Sequence, residues 1–99
     1  MPGRILIIDD DAGFARALAK NLRLSGHDVS TCGTAAEARN VFGSANADVV
    51  VLDYQLPDAD GLALLDELKP TAAGAVFLMA TAYPDLDVAV DAMRRGAFD

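Results

Sequence analysis

What most constrains this chain is its alternation between short apolar runs and longer segments with helical spacing. Ile5-Leu6-Ile7-Ile8, Val49-Val50-Val51-Leu52 and Ala75-Val76-Phe77-Leu78-Met79 are continuous apolar runs, and Asp28-Val29-Ser30-Thr31-Cys32 is a weaker one. Unbroken runs of this length suit strands covered on both faces, as in a parallel sheet, and the weaker run reads as an edge strand. Between the first two, Phe14, Leu18 and Leu22 recur at every fourth residue, and the segment closes at Ser25-Gly26, a C-cap pattern. Thr34 with Glu37 three residues on has capping-box spacing, and Ala35, Ala38, Val41 and Phe42 supply the apolar side of a second helix. A third helix begins near Gly61, presents Leu62, Leu65 and Leu68, and is stopped by Pro70. A fourth is expected from about Asp85 to Arg95, with acidic residues first (Asp85, Asp87), basic ones last (Arg94, Arg95), and Gly96 as its end. Strands and helices in strict alternation with short connections imply an α/β fold with a parallel sheet and right-handed crossovers.

Composition narrows the class further. The 99 residues allow one domain, spanning 1–99, with one modest core. A single cysteine excludes an intrachain disulfide. The longest strictly apolar run, Ala75 to Ala80, is far short of the ~20 residues that span a bilayer, and the Met-Pro-Gly-Arg start has no signal-peptide pattern, so a cytoplasmic location is expected. The net charge of −7 repels phosphate backbones and makes direct nucleic-acid binding by this segment a poor prospect.

In open parallel sheets, ligands bind at the carboxyl ends of the strands, where strand order reverses. The first strand ends in Asp9-Asp10-Asp11, the third in Asp53-Tyr54-Gln55-Leu56-Pro57, and the last in Ala80-Thr81-Ala82. The second ends in Thr31-Cys32, which offers little chemistry. Asp9, Asp10 and Asp53 are therefore expected to converge. Two unit charges ~4 Å apart repel by about 4 kcal/mol at an effective dielectric of 20. Such a cluster persists where a cation binds or a carboxyl stays protonated, and a few oxygen ligands with waters suit Mg²⁺ better than Ca²⁺. Helix N-capping accounts for one of the first three aspartates, Asp11 for instance, but not for the whole set together with Asp53.

A strand followed by Asp9-Asp10, a strand followed by Asp53 with Pro57 and Gly61 downstream, and a strand followed by Thr81-Ala82 resemble the receiver domain of two-component response regulators. The resemblance spans the chain, and the stretches 81–87 and 95–99 look most like NtrC-type receivers. It implies a flavodoxin-like doubly wound sheet of strand order 2-1-3-4. By the same resemblance Asp53 would be the phosphoacceptor, a carboxylate nucleophile forming an aspartyl-phosphate. Asp10 would be a direct Mg²⁺ ligand, Asp9 would act mainly through water, and the Gln55 backbone carbonyl would complete the protein's share. Thr81 would be the switch, its hydroxyl bonding a phosphoryl oxygen, while Gln55 and Tyr83 would flank the path of attacking water. A phosphohistidine on a sensor histidine kinase, or on a phosphotransfer protein, would be the donor. Thr81 as a simple cap of the turn before the fourth helix remains open at this level.

The other conspicuous residues read as structural. His27 in Ser-Gly-His-Asp is expected to be a solvated loop residue, Cys32 a small half-buried strand end, and Arg94 and Arg95 complements to the helix terminus. Pro57 and Gly61 shape the loop after Asp53, with Gly61 supplying backbone freedom. Receivers continue with a fifth strand and helix and a phosphate-binding lysine. Lys20 and Lys69, the only lysines, lie in helices one and three, so a truncated receiver is expected, with an open edge favouring a homodimer.

Two alternatives stay in view. The sequence Asp9-Asp10-Asp11 with a Thr81-ended strand also resembles the haloacid dehalogenase phosphatases, with Asp9 as nucleophile and Asp11 as general acid/base. Gly13 departs from that pattern, and Asp53 would have no role. A pseudo-receiver acting only as an interaction module is the other.

Overall fold

Two central strands, apolar except for Arg4 at the start of the first, decide by their placement everything around them. A computed structural model describes residues 3–72 and 74–79; the expected fourth helix and Thr81 lie outside them. The elements are β1 (Arg4–Ile8), α1 (Ala12–Leu24), β2 (Asp28–Cys32), α2 (Ala35–Ala45), β3 (Val49–Leu52), β4 (Gln55–Leu56), β5 (Ala59–Asp60), α3 (Gly61–Leu68) and β6 (Val76–Met79). A single 3-10 turn, Lys69–Thr71, follows α3.

The main sheet runs β2-β1-β3-β6 with every pair parallel, and β4 and β5 form a separate antiparallel hairpin. Counting only the four long runs, this is the expected 2-1-3-4 order. The weak run is an edge strand, and the all-apolar runs of β1 and β3 are central. Leu6 pairs with Ser30 on one side and Val50 on the other, and Val50 pairs with Phe77.

Period-two alternation then divides β1 and β3 between two cores. Ile5, Ile7, Val49 and Val51 pack with Ala15, Leu18, Ala19 and Leu22 of α1. Leu6, Ile8, Val50 and Leu52 pack on the other face with Ala35 and Ala38 of α2 and Leu64 and Leu68 of α3. Helices on both faces explain why Ile5–Ile8 and Val49–Leu52 carry no polar residue, the exposed Arg4 standing only at the outer end of β1.

The helix ends follow local chemistry. Gly26 has φ of 93° and donates its N–H to Arg23 O (3.0 Å), while His27 N–H reaches Leu22 O (3.1 Å), a Schellman closure of α1. Thr34 Oγ1 accepts the Glu37 N–H (3.1 Å) at the start of α2. The Glu37 carboxylate reaches back to Gly33 N–H (3.1 Å) rather than to Thr34 N–H, a capping box shifted by one residue. The third helix ends at Leu68, and Pro70 sits inside the 3-10 turn, where its missing N–H costs nothing.

One expectation fails. His27 is not a solvated loop residue: it is only 6% exposed, and its Nδ1 accepts the Gly3 N–H (3.1 Å). Cys32 is buried more fully than expected at the end of β2, and desolvation pushes its thiol up to about 11, so it is a core residue. Among the described residues no helix is long and apolar enough to cross a membrane.

Candidate functional site

The chain leaves β1 toward β2 on one side and toward β3 on the other, so the switch point lies between β1 and β3. Backbone ladders continue past the strand ends there. Asp9 N–H donates to Cys32 O (3.0 Å) and Asp53 N–H to Ile8 O (2.9 Å), which fixes both aspartates beside the end of β1. Oxygen atoms of Asp9, Asp10 and Asp53 come within 4.8 Å of one another. The three residues read from the strand ends are thus brought together.

Their environments differ. Asp9 is buried, Asp53 half-buried and Asp10 exposed. Asp9 Oδ1 accepts the Asp11 N–H (2.9 Å). Burial still raises the Asp9 carboxyl above its ordinary value, with the charges of Asp53, Asp10 and Asp11 adding to the rise and the Asp11 N–H opposing it. Asp11 stands apart from the cluster. Its Oδ1 caps α1 by accepting the Phe14 N–H (3.0 Å), so the capping role falls on the residue for which it was expected.

Past Asp53 the chain folds into the β4–β5 hairpin, with Gln55 opposite Asp60 and Leu56 opposite Ala59. Gln55 is exposed, and it lines an open cleft of about 550 Å³ together with Asp10, Asp53, Tyr54, Leu56 and Pro57. Gly61 closes the loop by donating its N–H to Tyr54 O (2.7 Å). Its role is space, not the backbone freedom expected of it: a Cβ there would run into the Asp53 carbonyl oxygen and lie 2.9 Å from Tyr54 Cα.

Asp58 at the hairpin tip was not singled out by the sequence. Its carboxylate accepts the N–H groups of Ala35 (2.8 Å) and Ala36 (3.0 Å), the first two residues of α2. Those bonds hold its carboxyl below the usual range. No local pattern could have revealed this, because the partners lie 23 and 22 residues earlier.

Residues 5–99 match the response regulator receiver domain family. Regulatory protein AtoC of Escherichia coli K12 is 33% identical over 97% of this chain, and the transcriptional regulator NtrC of the same organism is 35% identical over 98%. The chain spans about a fifth of the length of these relatives (21% of each). Among solved structures, NtrX from Brucella abortus superposes with a TM-score of 0.75 at 33% identity, covering all of this chain and 22% of that one. A CheY-like receiver protein from Methanospirillum hungatei superposes with a TM-score of 0.78 at 29% identity, covering 98% of this chain and 78% of that one. The chain belongs to the response regulator receiver family, and its fold is the CheY-like parallel sheet flanked by helices. Receiver domains bind Mg²⁺ at an acidic pocket, and the Asp9, Asp10 and Asp53 carboxylates at the switch point are a group that could hold such an ion.

Proposed function

We propose that this chain is a phosphoacceptor whose Asp53 takes a phosphoryl group from the phosphohistidine of a sensor histidine kinase or a phosphotransfer protein. The observation that carries this reading is the convergence of Asp9, Asp10 and Asp53 within 4.8 Å at the topological switch point. In the transfer a carboxylate oxygen of Asp53 attacks phosphorus, the P–N bond to imidazole breaks, and the imidazole nitrogen regains a proton. Half-burial leaves that oxygen reachable from the open cleft while Asp9 stays fixed beneath it.

The donor set fits Mg²⁺: three carboxylates from two strand ends, all oxygen, one buried and two facing solvent. Asp10 and Asp53 would bind the ion directly, Asp9 mainly through water, and the Gln55 carbonyl would add a further oxygen. When bound, Mg²⁺ offsets charge on the phosphoryl oxygens. Thr81 is the proposed switch, its hydroxyl bonding a phosphoryl oxygen and drawing the following segment inward.

Incubation with acetyl phosphate and Mg²⁺, followed by intact-mass measurement and acid-quenched peptide mapping, tests this. The wild-type chain should gain one phosphoryl group at Asp53, Asp53→Asn should gain none while keeping its fold, and Thr81→Ala should keep uptake. No gain under any of these conditions identifies an interaction module instead. Label on Asp9 would restore the phosphatase reading, which leaves Asp53 idle inside the cluster.

A further inference from the structure

The two halves of the aspartate cluster come from different loops, and besides the Asp53 backbone bond to Ile8 and the buried Leu56, the Asp58 side chain ties the second loop to the start of α2. The hairpin that follows Asp53 is short, two residues per strand. Its turn residues are Pro57 and Asp58, and neither has a positive φ. A two-residue turn without positive φ splays its strands, so this hairpin needs an outside support. Asp58 supplies it by gripping the first two N–H groups of α2. Two residues before the Thr34 cap, Cys32 is bonded to the other half of the site: its carbonyl oxygen accepts the Asp9 N–H (3.0 Å). Asp58 and the start of α2 therefore connect the Asp53 loop, through Thr34, Gly33 and Cys32, to the backbone of Asp9.

We infer that Asp58 is a positioning residue for the metal and phosphoryl site, holding the loop that follows Asp53 in place beside Asp9 and Asp10 by clamping the hairpin to the N-terminus of α2. The inference rests on the phosphoacceptor reading for its consequence, but not for its geometry. Partners of metal ligands typically change affinity 10–100-fold when removed, and Asp58 acts one step further out, so about a threefold to tenfold loss of Mg²⁺ affinity is expected for Asp58→Ala. Asp58→Asn keeps one acceptor oxygen and should fall between Ala and wild type.

Thr34→Ala is the control. It removes the acceptor of the Glu37 N–H from the same helix end without touching the hairpin. The measurements are Mg²⁺ titration by calorimetry and amide exchange at Gly61 in the metal-free chain, because the Gly61 N–H closes the Asp53 loop onto Tyr54. Weaker Mg²⁺ binding with faster Gly61 exchange in the Asp58 variants, and neither in Thr34→Ala, supports the clamp. Wild-type affinity in a folded Asp58→Ala or Asp58→Asn overturns it, as does an equal loss in Thr34→Ala, which would mark general weakening of α2. If the wild-type chain binds no Mg²⁺, the phosphoacceptor reading falls, and Gly61 exchange alone decides whether Asp58 holds the loop.

Discussion

The site has two arms built on different terms. The first, Asp9-Asp10-Asp11, has its side-chain bonds among its own neighbours: Asp11 N–H bonds Asp9, and Asp11 Oδ1 bonds Phe14 N–H three residues on, while the Asp9 N–H reaches across to Cys32 O of β2. The second, Asp53 to Gly61, is held by contacts distant in sequence. Leu56 is buried in the core beneath α2 and α3 and Asp58 grips α2, while the β4–β5 pairs and the Gly61–Tyr54 bond lie within the loop. The difference teaches that the first arm's side-chain bonds form together with α1, whereas the second arm takes its shape only after two helices have packed. The proposed nucleophile, Asp53, stands on the second arm, which ties its exact pose to the surrounding tertiary structure.

Gly61→Ala should break the second arm and produce the largest effect. A methyl group cannot share space with the Asp53 carbonyl oxygen, and the obstacle is backbone, which cannot swing aside as a side chain would. Either the loop opens or the Asp53 peptide rotates. A loss of about 3 kcal/mol in urea unfolding is expected, at the upper end for overpacking, together with loss of phosphoryl uptake. Near-wild-type stability and uptake would show that the loop adapts freely and that the two arms differ less than their contacts suggest.

Asp11→Ala tests the first arm and should cost less, about 1 kcal/mol for loss of an N-cap. The damage should stay local. Amides in the first turn of α1 should exchange faster, while those of α2 and the β4–β5 hairpin keep their wild-type rates. Exchange spreading into α2 would mean that the first arm also depends on the second.

The same division explains what the sequence revealed. Four strands and the convergence of Asp9, Asp10 and Asp53 were legible because apolar runs and strand-end residues are local signals that the sheet simply collects, while the strand order came with the resemblance to receivers. The α1 closure at Gly26 and the Thr34 cap were legible for the same reason. His27 was misread because its burial depends on the Gly3 N–H, 24 residues away, and nothing in Ser-Gly-His-Asp announces that. Asp58 looked like an ordinary turn residue beside Pro57, since aspartate is common in turns whether or not it caps a distant helix. Gly61 was noticed, but for backbone freedom, when what the loop needs is the absence of a Cβ. In each case the missing information was a long-range contact.

The mildest substitution, Asp9→Asn, sharpens the comparison by pH. It is nearly isosteric and can keep the acceptor for the Asp11 N–H. Burial raises the folded Asp9 carboxyl above its ordinary 3.8, so over a window starting near that value the folded chain holds a proton that the unfolded chain has released. Where the folded state binds more protons, stability falls as pH rises. Asparagine does not titrate and escapes that fall. The variant and wild type should therefore have similar unfolding midpoints below about pH 3.8, with the variant pulling ahead as pH rises through the folded Asp9 value and the gap then levelling off. Adding Mg²⁺ at neutral pH should narrow the gap, since a cation relieves in the wild type the same repulsion that the substitution removes. Parallel profiles with and without Mg²⁺ would mean that the buried charge carries no folding penalty, and that the first arm holds Asp9 at no cost.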